Sequence, residues 1–207
     1  MIEPPIRRRV VKPPETRRAE LLDAGLAVFR KKGIKSTTVD DITVAAGVAK
    51  GTFYLYFDSK DRLFAALRER FAAELLVTAE AAVAKAPADD WVARAEALVG
   101  EAIDFAASRS EEFALVFTGH PPGEGEEAVA GAEHRFVELL VGTIQQGVKA
   151  GALHVADPET TAALIFHAVH GGLLELARHG GKKAELKRLR SGVSELVERA
   201  LATSLDI

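Results

Sequence analysis

The apolar residues of this chain recur three and four apart, and nowhere do they alternate with polar ones in the period of two that a half-buried strand requires. That pattern, broken by Gly and Pro, restricts the fold to the all-α class. Ala19, Leu22, Leu26 and Phe29 mark a first helix beginning near Glu15. Gly33 stops it, after Arg30, Lys31 and Lys32 have set cations at the negative end of the helix dipole. Prolines at positions 4, 5, 13 and 14 remove backbone donors, so residues 1–14 are expected to form a flexible basic arm. Thr38, with Asp41 three residues on, reads as the capping-box start of a short second helix carrying Val39, Ile42, Ala45 and Ala46 inward and ending at Gly47. A third short helix is expected over 50–57, and Asp58 and Ser59 cap a long fourth one that Pro87 ends. Five more follow, giving about nine. Asp89 and Asp90 open the fifth, Ser108 to Ser110 divide it from the sixth, and a loop begins at Gly119. The seventh runs over about 126–150. Asp157 and Pro158 open the eighth, which Gly180 and Gly181 close, and the last covers about 183–204.

The 207 residues, 48% hydrophobic, suffice for a small domain plus a larger one. The absence of Cys excludes disulfides, zinc knuckles and thiolate nucleophiles. Asn is also absent, with only two Gln and one Met, a bias found in thermophile proteins and equally in GC-rich genomes. The opening residues are basic but lack an apolar core after them, and no stretch approaches about 18 uninterrupted apolar residues. A soluble cytoplasmic protein with no membrane partner is the expectation. The net charge of −3 hides an asymmetry. Residues 1–70 hold 15 Lys and Arg against 9 Asp and Glu, whereas residues 71–207 hold 12 against 21. A polyanion-binding head on an acidic body fits that split.

Two short helices joined by a tight Gly-containing turn form a helix-turn-helix pattern. At about 100° per residue, Phe53 and Phe57 share the inward face of the third helix. Gly51 and Leu55 point most directly away, flanked by Lys50, Thr52, Tyr54 and Tyr56. A solvated face more often carries Glu, Lys and Gln, so aromatic rings beside a glycine suggest a surface meant to be covered. The run TTVDDITVAAGVAKGTFYLYFDSKDRLF, residues 37–64, closely resembles the DNA-binding domain of the TetR/AcrR family. It has that family's AGV-type turn, a glycine opening the third helix, an aromatic ending and a capped, Lys-containing start to the next helix. The resemblance is specific over about residues 15–70. It implies a DNA-binding domain over 15–62 and a helical ligand-binding and dimerisation domain over 63–207. By the same resemblance Thr38, Tyr54 and Lys60 would meet phosphates. Lys50, Thr52 and Tyr56 would face base edges of double-stranded operator DNA, with Gly51 and Leu55 close by. Thr38 is equally a helix cap, and Tyr54 equally a boundary residue of the core. The recognition helix has no Arg, Asn or Gln, so the bidentate pairings to guanine and adenine are missing and DNA shape should supply much of the selectivity.

For the C-terminal domain the resemblance implies a small-molecule effector, hydrophobic or aromatic, held among Phe105, Phe113, Phe117, Phe136, Phe166 and His167, with Trp91 and His170 as further candidates. Each is also plausible as plain core. Apolar stripes on the last two helices suggest a four-helix seam between two copies, in which Gly171 and Gly172 would allow close approach unless they serve intrachain packing instead. His167 and His170 have a spacing that could hold a metal, but no third ligand lies near in sequence, and neither a metal nor a cofactor is expected. The run from Gly123 to Ala128 fits G-x-G-x-x-A yet follows no strand. With no phosphate loop, nucleophile elbow or HExxH, nothing supports an enzyme. The sequence is thus read as a ligand-responsive transcriptional regulator, a repressor that binds palindromic operator DNA as a homodimer and is released by a small, largely apolar effector. The rival is a ligand-binding or protein-interaction module with a vestigial helix-turn-helix.

Overall fold

The computed structural model describes residues 13–118 and 126–201, so the expected arm, the loop from Gly119 and the end of the last helix lie outside the described residues. Within them the chain forms nine helices and no strand: α1 (Pro14–Lys32), α2 (Val39–Ala46), α3 (Lys50–Tyr54), α4 (Lys60–Lys85), α5 (Trp91–Ser108), α6 (Ser110–Thr118), α7 (Glu126–Lys149), α8 (Pro158–Arg178) and α9 (Lys183–Leu201). They fall into two compact units, divided between Phe64 and Ala65.

In the first unit α1 packs on α2, and α2 on α3. Its core is Leu21, Leu22, Phe29, Ile42, Phe53, Leu63 and Phe64, with Phe29 and Phe64 edge to face at 5.7 Å between ring centres. The second helix departs from the expected inward set. Thr43 is buried, its hydroxyl donating to the Asp40 carbonyl at 3.1 Å, while Ala45 turns outward. A helix of eight residues offers too few turns for the apolar period to fix its rotation. The third helix closes at Tyr54, but Phe57 N–H still donates to the Phe53 carbonyl at 3.0 Å, so helical bonding persists through the residues expected there.

In the second unit α5 packs on α7 and α9, α8 packs on α6, α7 and α9, and one core runs through Phe71, Leu98, Ile103, Leu140, Ile144, Ile165 and Val197. Local capping sets the boundaries. Asp90 accepts from Ala93 N–H at 2.9 Å, and Asp157 accepts from Thr160 N–H at 3.0 Å, with Pro158 as the first helical residue. Across α5 and α9, Arg190 pairs with Asp104 and Ser194 donates to Glu96. A side chain at Gly172 would collide with Leu189 of α9, whereas one at Gly171 would meet open space. Gly172 therefore belongs to intrachain packing, the alternative its sequence left open. By length and composition α8 is also apolar enough to cross a membrane, with only 22% of its most apolar window buried. Its Ala162, Ile165, Val169 and Leu173 face the core, and Leu164 is 65% exposed.

Candidate functional site

Both ends of α2 are fixed by local hydrogen bonds. Thr38 caps α2 by accepting from Asp41 N–H at 3.2 Å, while Asp41 Oδ2 accepts from Thr38 N–H at 3.0 Å and from the Thr38 hydroxyl at 2.9 Å. Lys32 Nζ donates to the other oxygen of Asp41 at 2.5 Å. The Lys32 bond first, then the two from Thr38, lower the Asp41 carboxyl pKa to about 2. Gly47 ends α2 in the left-handed region at φ +65°, where a side chain would be strained, and Val48 N–H returns to the Thr43 carbonyl at 3.0 Å.

From that turn α3 projects. Phe53 is its buried anchor, with the rings of Tyr54 and Phe57 at 5.5 and 5.8 Å and the Arg18 guanidinium 5.3 Å from the Phe57 ring. With Phe53 pinned, the rest of the helix must face out. Tyr54 is 51% and Leu55 79% exposed, Lys50 and Gly51 are exposed, and Thr52 and Tyr56 are half-buried. Lys50 Nζ sits 2.8 Å from Asp40 Oδ1 of α2, and that hydrogen bond raises the lysine pKa. Val44, at the C-terminal end of α2, is 80% exposed and adds an apolar edge.

Lys60, expected at a phosphate, turns its ammonium toward its own chain. Its ammonium donates to the carbonyls of Ile34, Lys35 and Thr37 at 2.8, 3.2 and 2.9 Å. An ammonium has three N–H donors, and here they close the loop between α1 and α2.

The second unit holds a narrow apolar crevice with about 50 Å³ of free interior, open to solvent at its mouth. Four of the aromatic residues singled out in the sequence, Phe113, Phe117, Phe136 and Phe166, line it. Phe113 and Phe117 lie 4.7 Å apart, and Phe136 and Phe166 5.7 Å apart. Phe105 does not reach it. That ring is buried behind, 5.1 Å from Phe71 and under the Arg109 guanidinium, because α5 turns the smaller Ala102 and Ala106 toward the space. Trp91 also lies elsewhere, with Arg94 above its ring at 5.0 Å. His167 is exposed on the outer face of α8, and the crevice histidine is His170, one turn further on. The His170 ring lies 5.3 Å from Phe117 and 5.6 Å from Phe166, and burial lowers its pKa. Glu133 of α7 lines the crevice too, its Oε1 3.7 Å from His170 Nδ1. Among the described residues no group of three metal-ligating side chains occurs.

Residues 21–67 match the family model for bacterial regulatory proteins of the tetR family, and residues 88–172 match the tetracyclin repressor-like C-terminal domain. The chain is 33% identical over 153 residues to the transcriptional repressor KstR2 of Rhodococcus jostii, spanning 72% of this chain and 74% of that protein. It belongs to the TetR family. Among solved structures, a protein of unknown function from Rhodococcus sp. RHA1 is 26% identical, with a TM-score of 0.76 over 96% of this chain and 100% of that one. The regulator FadR from Bacillus subtilis, solved with stearoyl-CoA, is 19% identical, with a TM-score of 0.75 over 89% of this chain and 99% of that one. The TetR chain is accordingly a DNA-binding transcriptional regulator, of a family whose members include named repressors.

Two residues of the TetR chain's sites went unremarked in its sequence. Glu133 lies between Val129 and Phe136 on α7, four residues from one and three from the other. An acid at that spacing inside an apolar stripe is itself a signal of a buried polar site. Asp40 gave no such sign, because an acid in the first turn of a helix is ordinary.

Proposed function

We propose that two copies of this chain pair through α8 and α9, set their α3 helices into successive major grooves of a two-fold-symmetric operator, and repress transcription until an apolar effector enters the crevice. The observation that carries this reading is the outward face of α3, where Tyr54 and Leu55 stand exposed on a helix anchored by the fully buried Phe53. Tyr54 donates its hydroxyl to a phosphate. Lys50, Thr52 and Tyr56 meet base edges, with Gly51 and Leu55 against them. The hydroxyl proton of Thr38 is spent on Asp41, so a phosphate at the start of α2 is met by main-chain N–H groups that have no intrahelical partner. Lys60 holds the preceding loop in place for that contact.

The exposed Leu164 on α8 and Leu196 on α9 favour the paired arrangement, since a second copy covers both. The stearoyl-CoA of the Bacillus subtilis FadR supports an effector with a long apolar part, the chemistry that suits a crevice walled by phenylalanines. Ligand and operator oppose one another when the ligand prefers a spacing of the two α3 helices that DNA does not accept. Each ~1.4 kcal/mol of that preference weakens the operator complex tenfold.

Selection of bound duplexes from a random pool, followed by sedimentation of the complex, tests the reading. Inverted-repeat sites occupied by two chains, or a multiple of two, are expected. Enriched sites without two-fold symmetry, or a single chain on each, would contradict it.

A further inference from the structure

Among the described residues the crevice wall is hydrocarbon except at His170 and Glu133, and these two face each other across α8 and α7. His170 Nδ1 lies 3.7 Å from the Glu133 carboxylate, while Nε2 is buried and has no hydrogen-bond partner among the described residues. A carboxylate beside Nδ1 keeps the ring proton on that nitrogen, because the other tautomer would set a lone pair against a charged oxygen. Nε2 is then a bare acceptor. Burial lowers the His170 pKa, against the raising effect of Glu133 and with a smaller lowering from His167, which keeps the ring neutral near pH 7. A buried acceptor left without a donor is costly, and a ligand that parts the Phe117 and Phe166 rings packed against His170 to reach Nε2 relieves that cost.

Resting on the reading of this crevice as the effector site, we propose that the effector is an apolar molecule ending in a neutral hydroxyl, a phenol or long-chain alcohol. Its O–H donates to His170 Nε2, and its hydrocarbon body lies among Phe113, Phe117, Phe136 and Phe166. A carboxylate in the same place would meet the charge of Glu133 and a second lone pair. An ester or thioester carbonyl would set acceptor against acceptor. The polar end therefore separates this chain's ligand from the stearoyl-CoA of the Bacillus subtilis FadR, although both supply an apolar body.

The test is displacement of the fluorescent reporter N-phenyl-1-naphthylamine from the full-length protein by hexylbenzene, 4-hexylphenol, 4-hexylbenzoate, 4-hexylbenzylamine and octanoyl-CoA. The phenol should bind about tenfold more tightly than hexylbenzene, the size expected for satisfying one buried acceptor. It should also bind more tightly than the benzoate and octanoyl-CoA, which bring acceptors, and than the amine, whose full charge is costly to bury among phenylalanines. His170→Phe should erase that advantage while leaving hexylbenzene binding in place. Glu133→Gln, which keeps the shape of the wall, should raise the affinity for 4-hexylbenzoate by removing the repelling charge. Stronger binding of the benzoate, the amine or octanoyl-CoA than of the phenol would overturn the proposal, as would a phenol advantage that survives in His170→Phe. Failure of the reporter and of hexylbenzene to bind at all would instead overturn the crevice as an effector site, and this inference with it.

Discussion

The two units treat their polar side chains in opposite ways. In the first, the charged groups around α2 and α3 are matched with one another: Lys32 with Asp41, Lys50 with Asp40, and Lys60 with three carbonyls. What it leaves open is a face of tyrosine and leucine. In the second, surface ion pairs occur too, but several buried nitrogens, among them His170 Nε2 beside the apolar crevice, have no partner among the described residues. The contrast teaches where each unit keeps its recognition. The head presents an exposed surface whose geometry is fixed from below, and the body presents an apolar crevice, which the proposed function assigns to a ligand.

The largest effect that separates the two is on stability. Phe53→Ala should cost about 3–5 kcal/mol, the range for deleting a buried aromatic ring, and chemical denaturation should then show the head melting ahead of the body. A single coincident transition at wild-type stability would break the division. Next in size, Tyr54→Ala should weaken binding to a selected duplex by about tenfold or more with an unchanged melting temperature, because a half-exposed ring is removed without opening the core. Thr38→Ala removes the cap of α2 and should cost about 1 kcal/mol.

The same cap carries a pH signature. The Asp41 pKa is about 2 in the folded head against an ordinary 3.8, so its contribution is complete above about pH 4 and is lost as pH falls toward 2. Acid titration followed by circular dichroism should show that decline, reduced in Asp41→Asn. The smallest effect sharpens the picture of matched charges. Asp40→Asn releases Lys50 from its 2.8 Å partner and removes a negative charge from the DNA face, so it should strengthen duplex binding a few-fold. Weaker binding would mean that Asp40 holds Lys50 in its productive position.

How much of this was legible in the sequence follows from the range over which each feature is determined. The capping box at Thr38, the Asp157-Pro158 start of α8 and the glycine stops are settled by residues three or four apart, and the helices appear where those signals put them. The outward set on α3 was readable because Phe53 and Phe57 fix its rotation. The role of Lys60 was not, since its carbonyl partners lie 23 to 26 residues away and the ammonium carries no mark of them. Likewise His167 and His170 sit one turn apart on α8. Which of them meets the crevice depends on where α6 and α7 pack, and that information lies outside the helix. Phe105 was misplaced for the same reason: every aromatic on an inward face looks alike until the small residues that make room for a ligand, here Ala102 and Ala106, are seen beside it.

The central claim is that the surface of α3 binds DNA through its phosphates as well as its bases. Its most direct test is the salt dependence of binding to a selected duplex, measured for the wild type and Tyr54→Ala. The account predicts that log K falls linearly with log salt by about 0.9 for each phosphate neutralised, with weaker binding in the variant at every salt concentration. Binding that is weak, insensitive to salt and indifferent to Tyr54 would contradict it.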